Sequence, residues 1–266
     1  MEELKGFVFK KKFGQNFILD TNFLQSLVDC FDLDKDDEVL EVGPGAGTLT
    51  KIVASRVKKL RAFEIDTDLK PVLEQQFKDC NNIEVVFKDI MKVDNAEIEG
   101  LFPEGFKMVA NLPYYITSPI IFKFLECKKI KTMYLMVQLE VGERFSATCG
   151  GREYGIPSVL IDSVGKASIV KKVNRKMFFP VPNVDSCILK IEICKDKHKI
   201  EDWAKFSQFV HNAFNMKRKT LVNNLSSKYP KTKEEVKQIL QQLEIAEDVR
   251  PENVTTEQYI KLYDKF

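Results

Sequence analysis

The sequence predicts an α/β chain, a doubly wound parallel sheet over residues 1–195 followed by a small all-helical domain over residues 196–266. Three observations predict it. Between residues 38 and 138 short apolar runs alternate with helix-length segments, the rhythm of parallel strands joined by crossovers. The first of those runs leaves through Gly43-Pro44-Gly45-Ala46-Gly47, a loop built for close backbone approach. Beyond a polar break at Lys195-Asp196-Lys197-His198-Lys199, apolar residues recur at helical spacing.

The elements follow in order. Glu38 to Val42 is a short strand ending in the glycine loop, and Thr48 to Arg56 is the helix after it. Lys59 to Phe63 is a second strand ending at Glu64-Ile65-Asp66, with a helix from Asp68 to Lys78. Ile83 to Phe87 is a third, ending at Lys88-Asp89; Lys107 to Ala110 is a fourth, ending at Asn111; Thr132 to Gln138 is a fifth. Ser168 to Val173 and Asp185 to Ile193 add two more, separated by Phe178-Phe179-Pro180-Val181-Pro182, too proline-rich for a central strand. In the last part Trp203, Phe206, Val210, Ala213 and Phe214 keep one helical face, as do Val236, Ile239, Leu240 and Leu243. The pattern is a Rossmann-like α/β domain followed by a small helical one.

Composition narrows the class. No stretch of the 266 residues approaches the roughly 20 apolar residues of a membrane span. Met-Glu-Glu-Leu-Lys-Gly-Phe lacks the basic-then-apolar order of a signal peptide. Six cysteines without a C-x-x-C pair read as reduced thiols in a cytoplasmic protein. Two histidines, neither near a cysteine pair, argue against a metal site. Net charge is only +2, but its distribution is uneven. Gly165 to Met177 carries five basic residues and no acid, and Trp203 to Lys233 carries seven more, again without an acid. With Lys10, Lys11 and Lys12 these segments predict a one-sided positive surface for nucleic acid, against the bland alternative of solvated lysine runs. Lys171, Lys172, Lys217, Arg218 and Lys219 are the candidate RNA contacts beside that N-terminal cluster.

In open parallel sheets, ligands bind beyond the carboxyl ends of the strands. Gly43, Glu64, Asp89 and Asn111 occupy those ends, one per strand–helix unit. Thr48 stands where the dinucleotide fingerprint requires its last glycine, and no nearby Lys or Arg would pair with pyrophosphate. That combination favours S-adenosylmethionine, a nucleoside cofactor without phosphate, with Glu64 accepting from ribose hydroxyls and Asp89 from the adenine amine. Taken singly, Glu64 could be a carboxylate at a helix N-terminus and Asp89 an N-cap.

The fourth strand leaves through Asn111-Leu112-Pro113-Tyr114-Tyr115-Ile116-Thr117-Ser118-Pro119. A plain turn has no use for an amide, a proline and two aromatic rings together. They suit a planar ligand bearing an exocyclic amine. The lone pair of such an amine is delocalised into its ring, so it is a poor nucleophile. Acceptors placed on its N–H bonds, the Asn111 amide oxygen and the Leu112 carbonyl held by Pro113, would restore its nucleophilicity and align it, while Tyr114 stacks on the ring. Core packing of both tyrosines is the competing explanation.

These residues carry a family resemblance. KKKFGQNFI (10–18), EVGPGAGTLT (41–50), FEID (63–66), KDIMK (88–92), NLPYYITSPII (111–121), MVQLEVGERF (136–145), YGIPSVL (154–160), FFPVPNVDSC (178–187) and KRKTLVNNL (217–225) run through nearly the whole chain. Together they resemble the bacterial ribosomal RNA small-subunit adenine dimethyltransferases. The resemblance implies cofactor contacts at Asn16, Ile18, Gly43, Glu64, Asp89 and Asn111, in agreement with the strand-end reading. It implies catalysis at Asn111, Leu112, Pro113 and Tyr114, and N6,N6-dimethylation of two adjacent adenines in the 3′-terminal hairpin of 16S rRNA. The partner is then rRNA in an assembling 30S particle, and the enzyme a monomer. Ile18 stands where leucine is usual, Leu139 and Asn183 where lysine is common, and Val222 where arginine is common. Two alternatives stay open: a macrolide-resistance methyltransferase acting on 23S rRNA, and a catalytically idle rRNA-binding assembly factor.

Overall fold

The computed structural model describes residues 17–18, 20–198, 200–216 and 218–266. It divides into two compact units, residues up to 142 with 168–193, and residues 143–167 with 194–266. The last of the three passages of the chain between units, at 193 and 194, lies close to the break expected at 195 and 196. The first, at 142 and 143, places residues 143–167 with the helical unit and was not expected.

The first unit begins with β1 (Phe17–Ile18) and α1 (Thr21–Val28). Asp20 starts α1 by accepting the Phe23 N–H at 3.0 Å, and the helix buries Leu24, Leu27 and Val28. Then come β2 (Glu38–Val42), α2 (Thr48–Ala54), β3 (Lys59–Glu64), α3 (Lys70–Phe77), β4 (Ile83–Phe87), α4 (Asn95–Leu101), β5 (Phe106–Asn111), α5 (Thr117–Glu126) and β6 (Ile130–Gln138). The chain continues through α6 (Leu139–Phe145), α7 (Ile156–Val164), β7 (Gly165–Val173), β8 (Phe178–Phe179) and β9 (Ser186–Ile193). All seven expected strands are present, at bounds within about two to three residues of expectation at the ends that differ.

Seven strands form one sheet in the order β4-β3-β2-β5-β6-β9-β7. The first five are parallel, and β9 runs antiparallel to β6, from Thr132 opposite Glu192 to Gln138 opposite Ser186. The sheet is therefore mixed. From β2 the chain winds outward through β3 and β4, then returns to place β5 on the other flank of β2. That reversal creates a switch point between β2 and β5, where a crevice opens at their carboxyl ends. β2 lies inside the sheet between β3 and β5, and Val39 and Leu40 are fully buried. The proline-rich stretch stays out of this sheet; Phe178 and Phe179 pair instead with Ile18 and Phe17 in a separate two-stranded ribbon.

The second unit is helical apart from the start of β7. Its later helices are α8 (Trp203–Ala213), α9 (Leu221–Ser226), α10 (Lys233–Gln242) and α11 (Thr256–Tyr263). Thr232 with Glu235 and Thr255 with Gln258 form capping boxes that set the starts of α10 and α11. Phe206, Phe209, Val210 and Tyr259 fill the core, where the Tyr259 hydroxyl donates to the Pro251 carbonyl at 2.8 Å. Val222 is 3% exposed in this core, so an apolar side chain there serves packing rather than a contact surface.

Candidate active site

A cavity opens at the switch point. Its walls are Gly43, Pro44 and Gly45 after β2, Glu64 at the end of β3, Asp89 after β4, and Asn111, Leu112 and Pro113 at the end of β5. Leu24, Leu27, Phe31, Met136 and Ile188 supply an apolar lining. The four strand-end residues expected to converge do so, and Ile18, 6% exposed, joins them on the wall.

The glycine loop is left-handed at three positions, with φ of 71° at Gly43, 56° at Gly45 and 83° at Gly47. An added Cβ at Gly43 would meet nothing within 4 Å, so the backbone there faces open space. Glu64, 4% exposed, holds the loop: its Oε2 accepts the Gly45 N–H at 3.3 Å and its Oε1 accepts the Asp66 N–H at 2.8 Å. Burial pushes its carboxyl above the ordinary range, and these backbone donors oppose the shift. Each oxygen has a further lone pair for a ligand hydroxyl. Asp89 Oδ1 accepts the Met91 N–H at 3.0 Å, capping a 3₁₀ turn over Ile90–Lys92. The capping role and the cavity role coincide in this residue.

Asn111 is the last residue of β5, level with Met136 of β6, and Leu112 after it is 2% exposed. The Pro113 carbonyl accepts the Ile116 N–H at 3.1 Å and the Thr117 hydroxyl at 3.3 Å, which winds the loop directly into α5. Tyr114 is half-buried beside this loop but off the cavity wall, and its hydroxyl meets Ser186 Oγ at 3.0 Å. Burial raises its phenol. Tyr115, 65% exposed, is the tyrosine that stands on the wall.

One residue of the cavity had escaped the strand-end pattern. Glu41 lies inside β2, is 1% exposed, and lines the cavity. Burial pushes its carboxyl up to about 8; the Thr50 hydroxyl moderates the shift and the Glu64 charge adds to it. An acid flanked by the apolar Val39, Leu40 and Val42 of its strand was the available signal.

The basic candidates divide. Lys172 is exposed on β7, and Arg218 and Lys219 are exposed between α8 and α9. Lys171 is turned inward instead: its ammonium donates to the Ser26 carbonyl and hydroxyl, both at 3.1 Å, and lies 5.7 Å from the Phe23 ring centroid. Its side chain ties β7 to α1. Asn16, Lys10, Lys11, Lys12 and Lys217 lie outside the described residues.

Comparison with known proteins decides the family. The sequence model of the family described as "Ribosomal RNA adenine dimethylase" matches residues 6–266. The chain belongs to this family. Among its relatives in the dimethylase family is a ribosomal RNA small subunit methyltransferase A from Fusobacterium nucleatum, 41% identical over 98% of both chains. A protein of the same description from Bacillus mycoides is also 41% identical, over 98% of this chain and 92% of its own. A dimethyladenosine transferase from Plasmodium falciparum superposes with a TM-score of 0.79 at 26% identity, covering 94% of this chain and 97% of its own. The 23S rRNA methyltransferase ErmE superposes with a TM-score of 0.72 at 27% identity over 94% and 98%.

The dimethylase's pocket fits S-adenosylmethionine. The open face at Gly43 admits a ligand against the backbone, and Glu64 is set for vicinal hydroxyls. Glu41, Glu64 and Asp89 on the walls suit a cation better than an anion. Glu64→Ala is expected to leave a folded protein whose S-adenosylmethionine dissociation constant rises about tenfold or more, the cost of roughly 1–3 kcal/mol for lost buried hydrogen bonds. Calorimetric titration measures it, and an unchanged constant would remove Glu64 from the binding site.

Proposed function

We propose that the chain uses S-adenosylmethionine to dimethylate N6 of two adjacent adenines in the 3′-terminal hairpin of 16S rRNA. Its substrate is an assembling small subunit in the cytoplasm, and it acts as a monomer. The observation that carries this reading is the placement of Asn111-Leu112-Pro113 on the wall of the cavity at the end of β5. The bound cofactor supplies an electrophilic methyl group. The Asn111 amide oxygen and the Leu112 carbonyl accept the two N–H bonds of the adenine amine, drawing its lone pair out of conjugation and toward the methyl group. Pro113 stiffens the loop, and its carbonyl is committed to α5, so the acceptors are held in place. The amine's surplus proton leaves after transfer, so no strong general base is needed.

An adenine must leave its stack to reach this depth. Tyr114 receives it, with Ser186 fixing the ring through its hydroxyl. Tyr114→Ala should lower methylation per folded molecule by about 5- to 150-fold, since stacking is worth roughly 1–3 kcal/mol per base. Tyr114→Phe keeps the ring and should keep most activity while losing about 1 kcal/mol of stability with the Ser186 hydrogen bond. Near-normal turnover in Tyr114→Ala, with a lowered melting temperature, would make the ring a packing element only. Lys172, Arg218 and Lys219 are offered as phosphate contacts that hold the rRNA.

The test is mass spectrometry of adenine methylation after incubation with unmethylated small subunits and, separately, large subunits. Dimethyladenine confined to the small subunit supports the reading. Methylation of the large subunit would establish the 23S alternative that the ErmE likeness keeps in view, against which the 41% identity with small-subunit enzymes weighs. No methylation of either would leave the idle assembly factor.

A further inference from the structure

Glu41 is the buried acid that the methyl-transfer scheme does not use. It stands on β2, an interior strand, level with Ala62 of β3 and Val109 of β5. Its Oε2 is fully shielded and has no hydrogen-bond partner among the described residues. Among the described residues, the charged groups of the elements packed around it give it no counter-ion. From β3, Glu64 repels it, and Arg61 is spent on Glu38 at 2.9 Å and Glu84 at 3.1 Å. From β5, Lys107 is paired with Asp37 at 2.7 Å. From α2, Thr50 offers a hydroxyl, and Lys51 reaches only Gln76, at 3.5 Å. Asp29, just past α1, pairs with Arg56. After β4, Lys88 shares the cavity wall with Asp89 but is paired with Glu97 at 2.8 Å.

A lone carboxylate in such surroundings, beside a second buried acid, is strongly disfavoured. A neutral carboxyl is tolerated. The methyl donor brings a sulfonium and an ammonium, whereas the one cation among the described residues of the cavity wall, Lys88, is already committed to an acid. We infer that Glu41 is protonated in the ligand-free enzyme and surrenders that proton to solvent when the donor binds, leaving its carboxylate as the donor's buried counter-charge. The balance is one O–H bond broken at Glu41 and one proton passed to buffer, with no redox change. This inference rests on S-adenosylmethionine being the occupant.

Linkage fixes the sign. Binding that expels a proton strengthens as pH rises toward the pKa of the group that loses it and levels off above it. Between pH 6 and about 7.5 the dissociation constant should fall by up to tenfold per pH unit, and above about pH 9 Glu41 should no longer make it vary with pH. Titrating the full-length protein with S-adenosylmethionine at pH 7, in buffers of unlike ionisation enthalpy such as phosphate and Tris, should show release of nearly one proton per site. Glu41→Gln should bind with that release abolished and the pH dependence flattened. Should that variant fail to fold, infrared difference spectra of the wild type should show a protonated carboxyl band disappearing on donor binding. Binding heat that is the same in every buffer at pH 7, an unchanged carboxyl band, or undiminished release from Glu41→Gln would each overturn the inference while leaving the cofactor in place. Absence of binding in any buffer would overturn both.

Discussion

Asn111→Ala is expected to reduce methyl transfer per folded molecule by roughly 100- to 1,000-fold, the scale on which one preorganised polar group at a reacting centre is worth about 3–4 kcal/mol. Two effects combine. In the proposed mechanism the amide oxygen is one of two acceptors for the adenine amine, and the same side chain lies on the cavity wall. The surrounding backbone should hold, because Ala110 and Leu112 on either side are 2% exposed and β5 is paired along both edges. Single-turnover methylation with saturating donor isolates the chemical step, and a parallel binding titration shows how much of the loss is donor affinity. Turnover within about threefold of wild type would dismiss Asn111 as the methyl-transfer acceptor.

Gly47→Ala should be the most destabilising single methyl in the cofactor loop. Gly47 precedes α2 with φ of 83°, and a Cβ there would sit 2.6 Å from Phe77 Cζ, 2.9 Å from Phe77 Cε1 and 3.3 Å from Leu73 Cδ2. Phe77 and Leu73 are themselves core residues, 8% and 1% exposed, so neither can swing clear cheaply. Left-handed backbone costs an alanine about 1 kcal/mol, and overpacking adds about 1–3 kcal/mol. A total of roughly 2–4 kcal/mol lowers the melting temperature by about 5–15 °C in a chain of this size. Gly43→Ala makes the contrast: its methyl would enter open space, so it should weaken donor binding more than stability. Calorimetric melting of both variants tests this, and a shift of under about one degree for Gly47→Ala would show that the loop yields.

The parallel core was legible because its signals are local. Each strand from β2 to β6 is an apolar run closed by glycine, an acid or an amide, and the alternation with helices implies the crossovers. Those closing residues also marked the site, since a parallel sheet brings its carboxyl ends together. Other features depend on partners remote in sequence. Two residues cannot show a period, so the pairing of Phe17–Ile18 with Phe178–Phe179 was beyond reach. The inward turn of Lys171 is decided by Ser26, 145 residues away. Glu41 reads as a solvent-facing position, because an acid in a strand ordinarily is one. In an interior strand covered on both faces, no such position exists.

Neither compact unit is a continuous stretch of chain, and this bears on how the protein emerges during synthesis. The sheet cannot be completed until β7 and β9, residues 165–193, have left the ribosomal tunnel. α7 is made before them, yet it packs against α8 and α11, which come last. Val159, Leu160 and Ile161 of α7, each no more than 1% exposed in the finished fold, therefore wait about 40 residues for α8 and about a hundred for α11. A chain stopped at residue 193 would own a complete sheet and an unburied greasy helix. Such a product should be caught by chaperones or proteases, so loss of the C-terminal helices should deplete the protein itself rather than yield a free-standing methyl-transfer half.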